Sequence, residues 1–213
     1  MGVARYGPLG PFKGKIGPIF GYVKQGKLIL RAAPQVVPPR SEKQKAVLQR
    51  MPVLGTFFQF IKPYLAIGFE LSALRNGNSA NNSAKSYNLK HAIGGVYPHQ
   101  FLEYDKVRLT EGGLAVAENA VVVAVADGFR FYWDYDEHDP HAGAQDKTML
   151  MAFFPDQSNP VYLISGVERK AQTQLLEVPA PLKGLSAHTY ISFVRDDRRA
   201  ISNSVYTGAI VFS

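Results

Sequence analysis

From position 103 to the C-terminus, apolar residues come in short runs separated by turn-forming residues at near-regular intervals. The runs cover 106–109, 120–126, 129–135, 148–154, 161–165, 173–178, 189–194 and 204–212. Runs of that length and spacing predict an immunoglobulin- or fibronectin-like β-sandwich, because antiparallel strands turn often and bury one face each. Trp133, the single tryptophan, falls inside a run and is expected to anchor the core. The polar stretch 195–199 is the expected exposed turn between the last two strands.

Ahead of this region the periodicity changes. Ser41-Glu42-Lys43-Gln44 has the spacing of a capping box and predicts a helix to about Met51, where Pro52 ends or kinks it. A second apolar helical piece covers 54–61, and Pro63 opens a third that runs to about Leu74. Phe57, Phe58, Phe60, Ile61, Leu65, Ile67 and Phe69 are too many for a one-sided surface helix and imply burial on two sides, against the sandwich or a partner subunit. A polar loop at 75–83 leads into a further short helix, about 80–93, which Gly94-Gly95 ends.

The first forty residues follow neither pattern. Gly7, Gly10, Gly14, Gly17 and Gly21 alternate spacings of three and four, yet Pro8, Pro11 and Pro18 exclude a helix. The segment is expected to be an extended, turning strand whose glycines permit positive φ or close backbone approach. Tyr22-Val23 and Leu28-Ile29-Leu30 flank Lys24-Gln25-Gly26-Lys27, a hairpin signal, and 32–40 is a stiff proline-rich connector. The whole reads as a mainly β, α+β chain: a basic Gly/Pro-rich arm with a hairpin (1–40), a helical segment (41–100) and a β-sandwich (101–213).

Charge sharpens this division. Residues 1–50 hold ten Lys/Arg against one acidic residue, Glu42, a net +9, while 51–213 hold fourteen against sixteen, a net −2. A basic arm on a nearly neutral body suits either a nucleic-acid tail or an arm that docks on a neighbouring subunit. Cysteine is absent, which removes disulfides, thiolate metal sites and cysteine nucleophiles together. The apolar stretch 51–74 contains Pro52, Gln59, Lys62, Pro63 and Glu70, so buried helices are expected there and not a bilayer span. The N-terminal stretch lacks the apolar run of a secretory signal, so synthesis in the cytoplasm is expected, with a final place in a phage-like particle or an extracellular assembly.

Little chemistry is concentrated anywhere. Gly10 and Gly14 fail the spacing of a phosphate-binding loop, and Ile16 stands where its hydroxyl residue belongs. Asp134, Asp136, Asp139 and His141 form the densest set of possible metal ligands, but a solvated acidic turn accounts for them more simply. The five histidines, His91, His99, His138, His141 and His188, make no catalytic spacing, and neither a catalytic set nor a cofactor is expected. In the arm, Arg5, Lys13, Lys15, Lys24, Lys27, Arg31 and Arg40 interleave with Tyr6, Phe12, Phe20 and Tyr22. Basic and aromatic residues together fit phosphate contact and base stacking, and equally an arm anchored in a neighbour's groove.

Four stretches carry a resemblance: Gly7-Pro-Leu-Gly10-Pro-Phe12-Lys-Gly14-Lys15-Ile-Gly17, Arg31-Ala-Ala-Pro34 with the helix that follows it, Ser86 to Gly95, and Ser202-x-Ser204-x-Tyr206-x-Gly208. On these the chain resembles an uncharacterised bacterial family of about this length, classed as a domain of unknown function. The first hairpin here has Tyr22 or Val23 where a Trp is usual in that family. The resemblance implies no activity; it implies that the arm's glycines are a signature feature.

The resulting expectation is a non-enzymatic, self-assembling structural protein, a subunit of a particle, tube or filament. Its homo-oligomeric contacts would run through Gly7, Gly10, Phe12, Gly14, Lys15, Gly17, Gly21, Tyr22 and Arg31. The alternatives are a nucleic-acid-binding or packaging protein using Arg5, Lys13, Lys24, Lys27 and Arg40, and a carbohydrate- or protein-binding sandwich module.

Overall fold

A computed structural model of the chain describes residues 3–4, 12–24, 26–33 and 39–213. It is mainly β with four helices, and it divides into two compact units, residues 1–42 and 43–213.

The first unit is an antiparallel meander of β1 (Val3–Ala4), β2 (Phe12–Ile16), β3 (Ile19–Lys24) and β4 (Lys27–Ala32), hydrogen-bonded in that order. The expected hairpin is present, with Lys24 opposite Lys27 and Gly26 in the turn. A second hairpin precedes it, where Ile16 faces Ile19 across Gly17-Pro18.

The second unit begins one residue into α1 (Glu42–Phe58) and continues through α2 (Lys62–Gly68), α3 (Glu70–Asn76) and α4 (Ala80–His91), the last capped by the Ser79 hydroxyl, which accepts from the Asn82 N–H. A short ribbon, β5 (Ile93–Gly94) with β6 (Phe101–Leu102), follows. Seven further strands make two sheets. β7 (Glu118–Val125), β8 (Gly128–Asp134) and β11 (Thr173–Glu177) form one, in the order β11-β8-β7. β9 (Lys147–Phe154), β10 (Asn159–Leu163), β12 (Ser186–Val194) and β13 (Val205–Val211) form the other, in the order β10-β9-β12-β13. This four-plus-three division is that of an immunoglobulin/fibronectin-like sandwich. It departs from the constant-type immunoglobulin pairing in that the fourth strand joins the third and not the fifth.

Two cores share the four-stranded sheet. Phe129, Phe131 and Trp133 of β8 meet Leu150, Ala152 and Phe154 of β9 and Ile191 and Phe193 of β12 between the sheets. The opposite face of the same strands, Met149, Met151, Phe153 and Tyr190, packs against Leu54, Phe57, Phe58, Tyr64, Leu65 and Phe69 from the helices. The sheet is therefore covered on both sides, which explains why β9 is an unbroken apolar run instead of an alternating one. Within the sandwich core Arg169 is buried; it pairs with the equally buried Asp146 at 3.3 Å, lies 3.8 Å from the Phe193 ring centroid and donates to the Ala115 carbonyl. Burial pulls the Arg169 guanidinium down and pushes the Asp146 carboxyl up, each countered by the other's charge.

Two expectations need correction. Pro52 neither ends nor breaks α1, which continues to Phe58. A proline costs a helix about 3 kcal/mol. Burial of Leu54, Phe57 and Phe58 beyond it supplies several times the stabilisation of one such side chain. The run 106–109 is not a strand: a turn at Tyr104–Lys106 leads into extended chain whose backbone is satisfied by side chains. Asn88 donates to the Arg108 carbonyl and accepts from its N–H, both at 2.8 Å, and the Leu109 N–H donates to Ser204 Oγ at 2.8 Å.

The helical layer should carry a large share of the body's stability. Phe57 meets Phe153 edge-on, with ring centroids 4.5 Å apart at 76°. Phe57→Ala is expected to cost about 3–5 kcal/mol in urea unfolding at unchanged slope. A loss below about 1 kcal/mol would mean that the helices are not packed on the sheet as described.

Candidate functional site

In an antiparallel meander, residues opposite one another share a face and neighbours along a strand alternate. Lys15, Phe20 and Arg31 thus lie in one cross-strand row, with Tyr22 and Ile29 in the next, and Lys13 and Lys27 on the same face. The other face holds the rows Gly14, Gly21, Leu30 and Ile16, Ile19, Ala32, together with Phe12, Val23 and Leu28. One face is basic and aromatic; the other has no polar side chain at these positions.

The apolar face is open. Ile16, Ile19, Val23, Leu28 and Leu30 are all substantially exposed, Leu30 at 52%. Phe12 closes over its centre. A side chain at Gly21 would meet the Phe12 carbonyl oxygen at 2.8 Å and its ring at 2.9 Å, so this position requires glycine for close approach. On the basic face the Arg31 guanidinium lies 5.9 Å from the Phe20 ring centroid and 5.7 Å from that of Tyr22, within cation–π range of both. The two rings are 6.4 Å apart and tilted.

Of the residues expected to mediate assembly, Phe12, Gly14, Lys15, Gly17, Gly21, Tyr22 and Arg31 fall in this sheet or its first turn, but on different faces. Of the expected phosphate contacts, Lys13 and Lys27 are exposed on the basic face and Arg40 is exposed ahead of α1. Gly7, Gly10 and Arg5 lie outside the described residues, as does the side chain of Lys24. The residues expected to act together in the arm thus lie on two opposite faces of the sheet.

The acidic loop does not assemble. Asp134 accepts from Asn119, and Asp136 and Asp139 each accept from the N–H two residues on, those of His138 and His141. These are side-chain-closed turns. Among the described residues no three His, Asp or Glu side chains converge as a metal set.

A cluster absent from the sequence expectations sits at the edge of the four-stranded sheet. His188 stacks on Tyr104, with ring centroids 3.9 Å apart at 13°, and its Nδ1 lies 2.8 Å from the Tyr206 hydroxyl. Tyr190 donates to the Tyr104 carbonyl at 2.7 Å. Desolvation holds the His188 pKa below its ordinary 6.5, partly offset by Asp105. Only the approach of 104–106 to β13, and of Tyr104 to His188 and Tyr190 on β12, creates the cluster, so no local motif announces it.

Three of the quoted motif residues thereby have defined tasks. Ser202 Oγ accepts from the Phe193 N–H, Ser204 Oγ accepts from Leu109, and the Tyr206 hydroxyl meets His188. Gly208, at φ +113°, allows the kink at the β12–β13 irregularity, where Thr189 Oγ1 donates to its carbonyl.

Because the folded chain resists protonation of His188, its contribution is fully present above about pH 6.5 and is lost as pH falls through the depressed folded value. The urea midpoint of the body is expected to drop between about pH 7.5 and about pH 5.5. The drop should shrink in His188→Gln, whose amide can still meet Tyr206. An identical pH slope in the variant would remove His188 as its source.

Among the described residues no helix is long and apolar enough to cross a membrane. Comparison with curated proteins finds no match to this chain. The model of a family of unknown function, DUF6266, matches residues 11–208, a span that takes in the two-faced meander from β2 onward, the helices and nearly all of the sandwich. The chain belongs to that family of unknown function.

Proposed function

We propose that the protein is a structural subunit that assembles with further copies of itself through the apolar face of its N-terminal sheet. The observation that supports this reading is the exposure of Ile16, Ile19, Val23, Leu28 and Leu30 on one face of a small meander. A small sheet without a packed face is marginal in water, and it gains stability by covering that face. Burying the exposed parts of five aliphatic side chains contributes on the order of 1 kcal/mol each. That is enough to hold a copy weakly through one contact and firmly through several repeated contacts. A shell, tube or filament subunit fits this role, and no catalytic group is required for it.

The test is the solution mass by light scattering. The full-length chain is expected as a large oligomer that persists in about 1 M salt, since apolar burial is not screened. The triple variant Ile16→Thr/Val23→Thr/Leu30→Thr puts β-branched threonine at all three strand positions but makes the face polar. It is expected to run as the 23.5 kDa monomer. A monomeric full-length chain, or a triple variant that assembles unchanged, would overturn the proposal.

A further inference from the structure

The geometry points to a second role for the same sheet: its basic–aromatic face is a binding surface for single-stranded nucleic acid. Assembly through the apolar face leaves this opposite face free, and the two roles do not depend on each other.

Three observations carry the inference. First, the register collects Lys13, Lys15, Lys27 and Arg31 on one face with Phe20 and Tyr22, and all four cations are exposed. Second, among the described residues none of the four forms an ion pair. No acidic residue precedes Glu42 in the sequence, and among the described residues every ion pair lies between positions 75 and 170. Third, the spacing suits an extended polyanion. Lys15 and Arg31 flank Phe20 in one row, so one aromatic ring sits between two cations about 4.8 Å to either side along the row. Lys13 and Lys15 lie about 6.8 Å apart along their strand.

A strand of bases offers what this face lacks: negative charge for the four cations and flat π-faces for the two rings. Sheet-borne aromatics with interleaved basic residues bind single strands in this way, with little sequence preference. Duplex DNA offers the charge but keeps its bases stacked within the helix, and a flexible polyphosphate offers the charge without the rings. The single strand is therefore the ligand that uses both components of the surface.

The experiment is fluorescence anisotropy of a labelled oligothymidylate of about 20 nucleotides with the full-length chain, at salt from about 50 to 500 mM. Four neutralised phosphates on a single strand give a log–log salt slope of roughly −3. Lys15→Gln/Arg31→Gln should reduce that slope in magnitude by about 1.4. Phe20→Leu/Tyr22→Leu should leave the slope in place and weaken binding roughly ten-fold or more. A polyphosphate of matched charge should compete less well than unlabelled oligonucleotide. No binding at low salt, a slope unchanged by the Gln pair, affinity unchanged by the Leu pair, or equal competition by polyphosphate would each overturn the inference. The Thr triple variant of the apolar face separates the two roles, since it should lose assembly and keep the salt slope.

Discussion

The central strands β9 and β12 of the body's four-stranded sheet are buried on both faces along nearly their whole length, and that burial governs the rest of the unit. Every position from Thr148 to Phe154 of β9 is buried, so each must find an apolar neighbour or a hydrogen bond on whichever side it points. One side is met by β8 and β11 across the sandwich, the other by Phe57 and Phe58 of α1, Tyr64 of α2 and Phe69 between α2 and α3. The helices are therefore a third layer of one body and owe their positions to the sheet beneath them. This explains why a proline inside α1 is tolerated: the helix is held in place from the side by Phe57 and Phe58.

The N-terminal meander presents the opposite situation. Its strands pair in regular register, yet most of the aliphatic residues on one of its faces remain exposed. Aliphatic side chains held apart from the charged ones over three paired strands, Ile29 alone excepted, make physical sense for a surface whose other half is supplied by a different molecule. The body solves its burial problem internally, and the meander leaves its own open.

Much of this was legible in the sequence. Seven of the expected sandwich strands appear within a few residues of their expected limits, because runs such as 148–154 are continuous and bounded by turn residues. Trp133 is buried as expected, with its indole N–H donating to the Arg169 carbonyl at 2.7 Å. What escaped detection depends on distant partners. Residues 106–109 look like a strand, and only Asn88, twenty positions earlier, and Ser204, ninety-five later, show that side chains take over their backbone bonds. The stacked pair of His188 and Tyr104 is hidden for the same reason. In the arm, the interleaving of basic and aromatic residues was visible, but the faces could not be assigned until the turn at Gly17-Pro18 set β2 against β3.

That turn-set register has a consequence for how the segment can change over time. Within a face, one aliphatic residue can replace another, and lysine can replace arginine, with the surface keeping its character. The loss or gain of one residue inside β3 cannot be absorbed so easily, because it would send Phe20 and Tyr22 to the side of Ile16 and Leu30 and bring Ile19 and Val23 up beside Lys15 and Arg31. Selection on a two-sided strand of this kind acts on counting more than on identity. Such segments can drift far in sequence while their lengths between turns stay fixed.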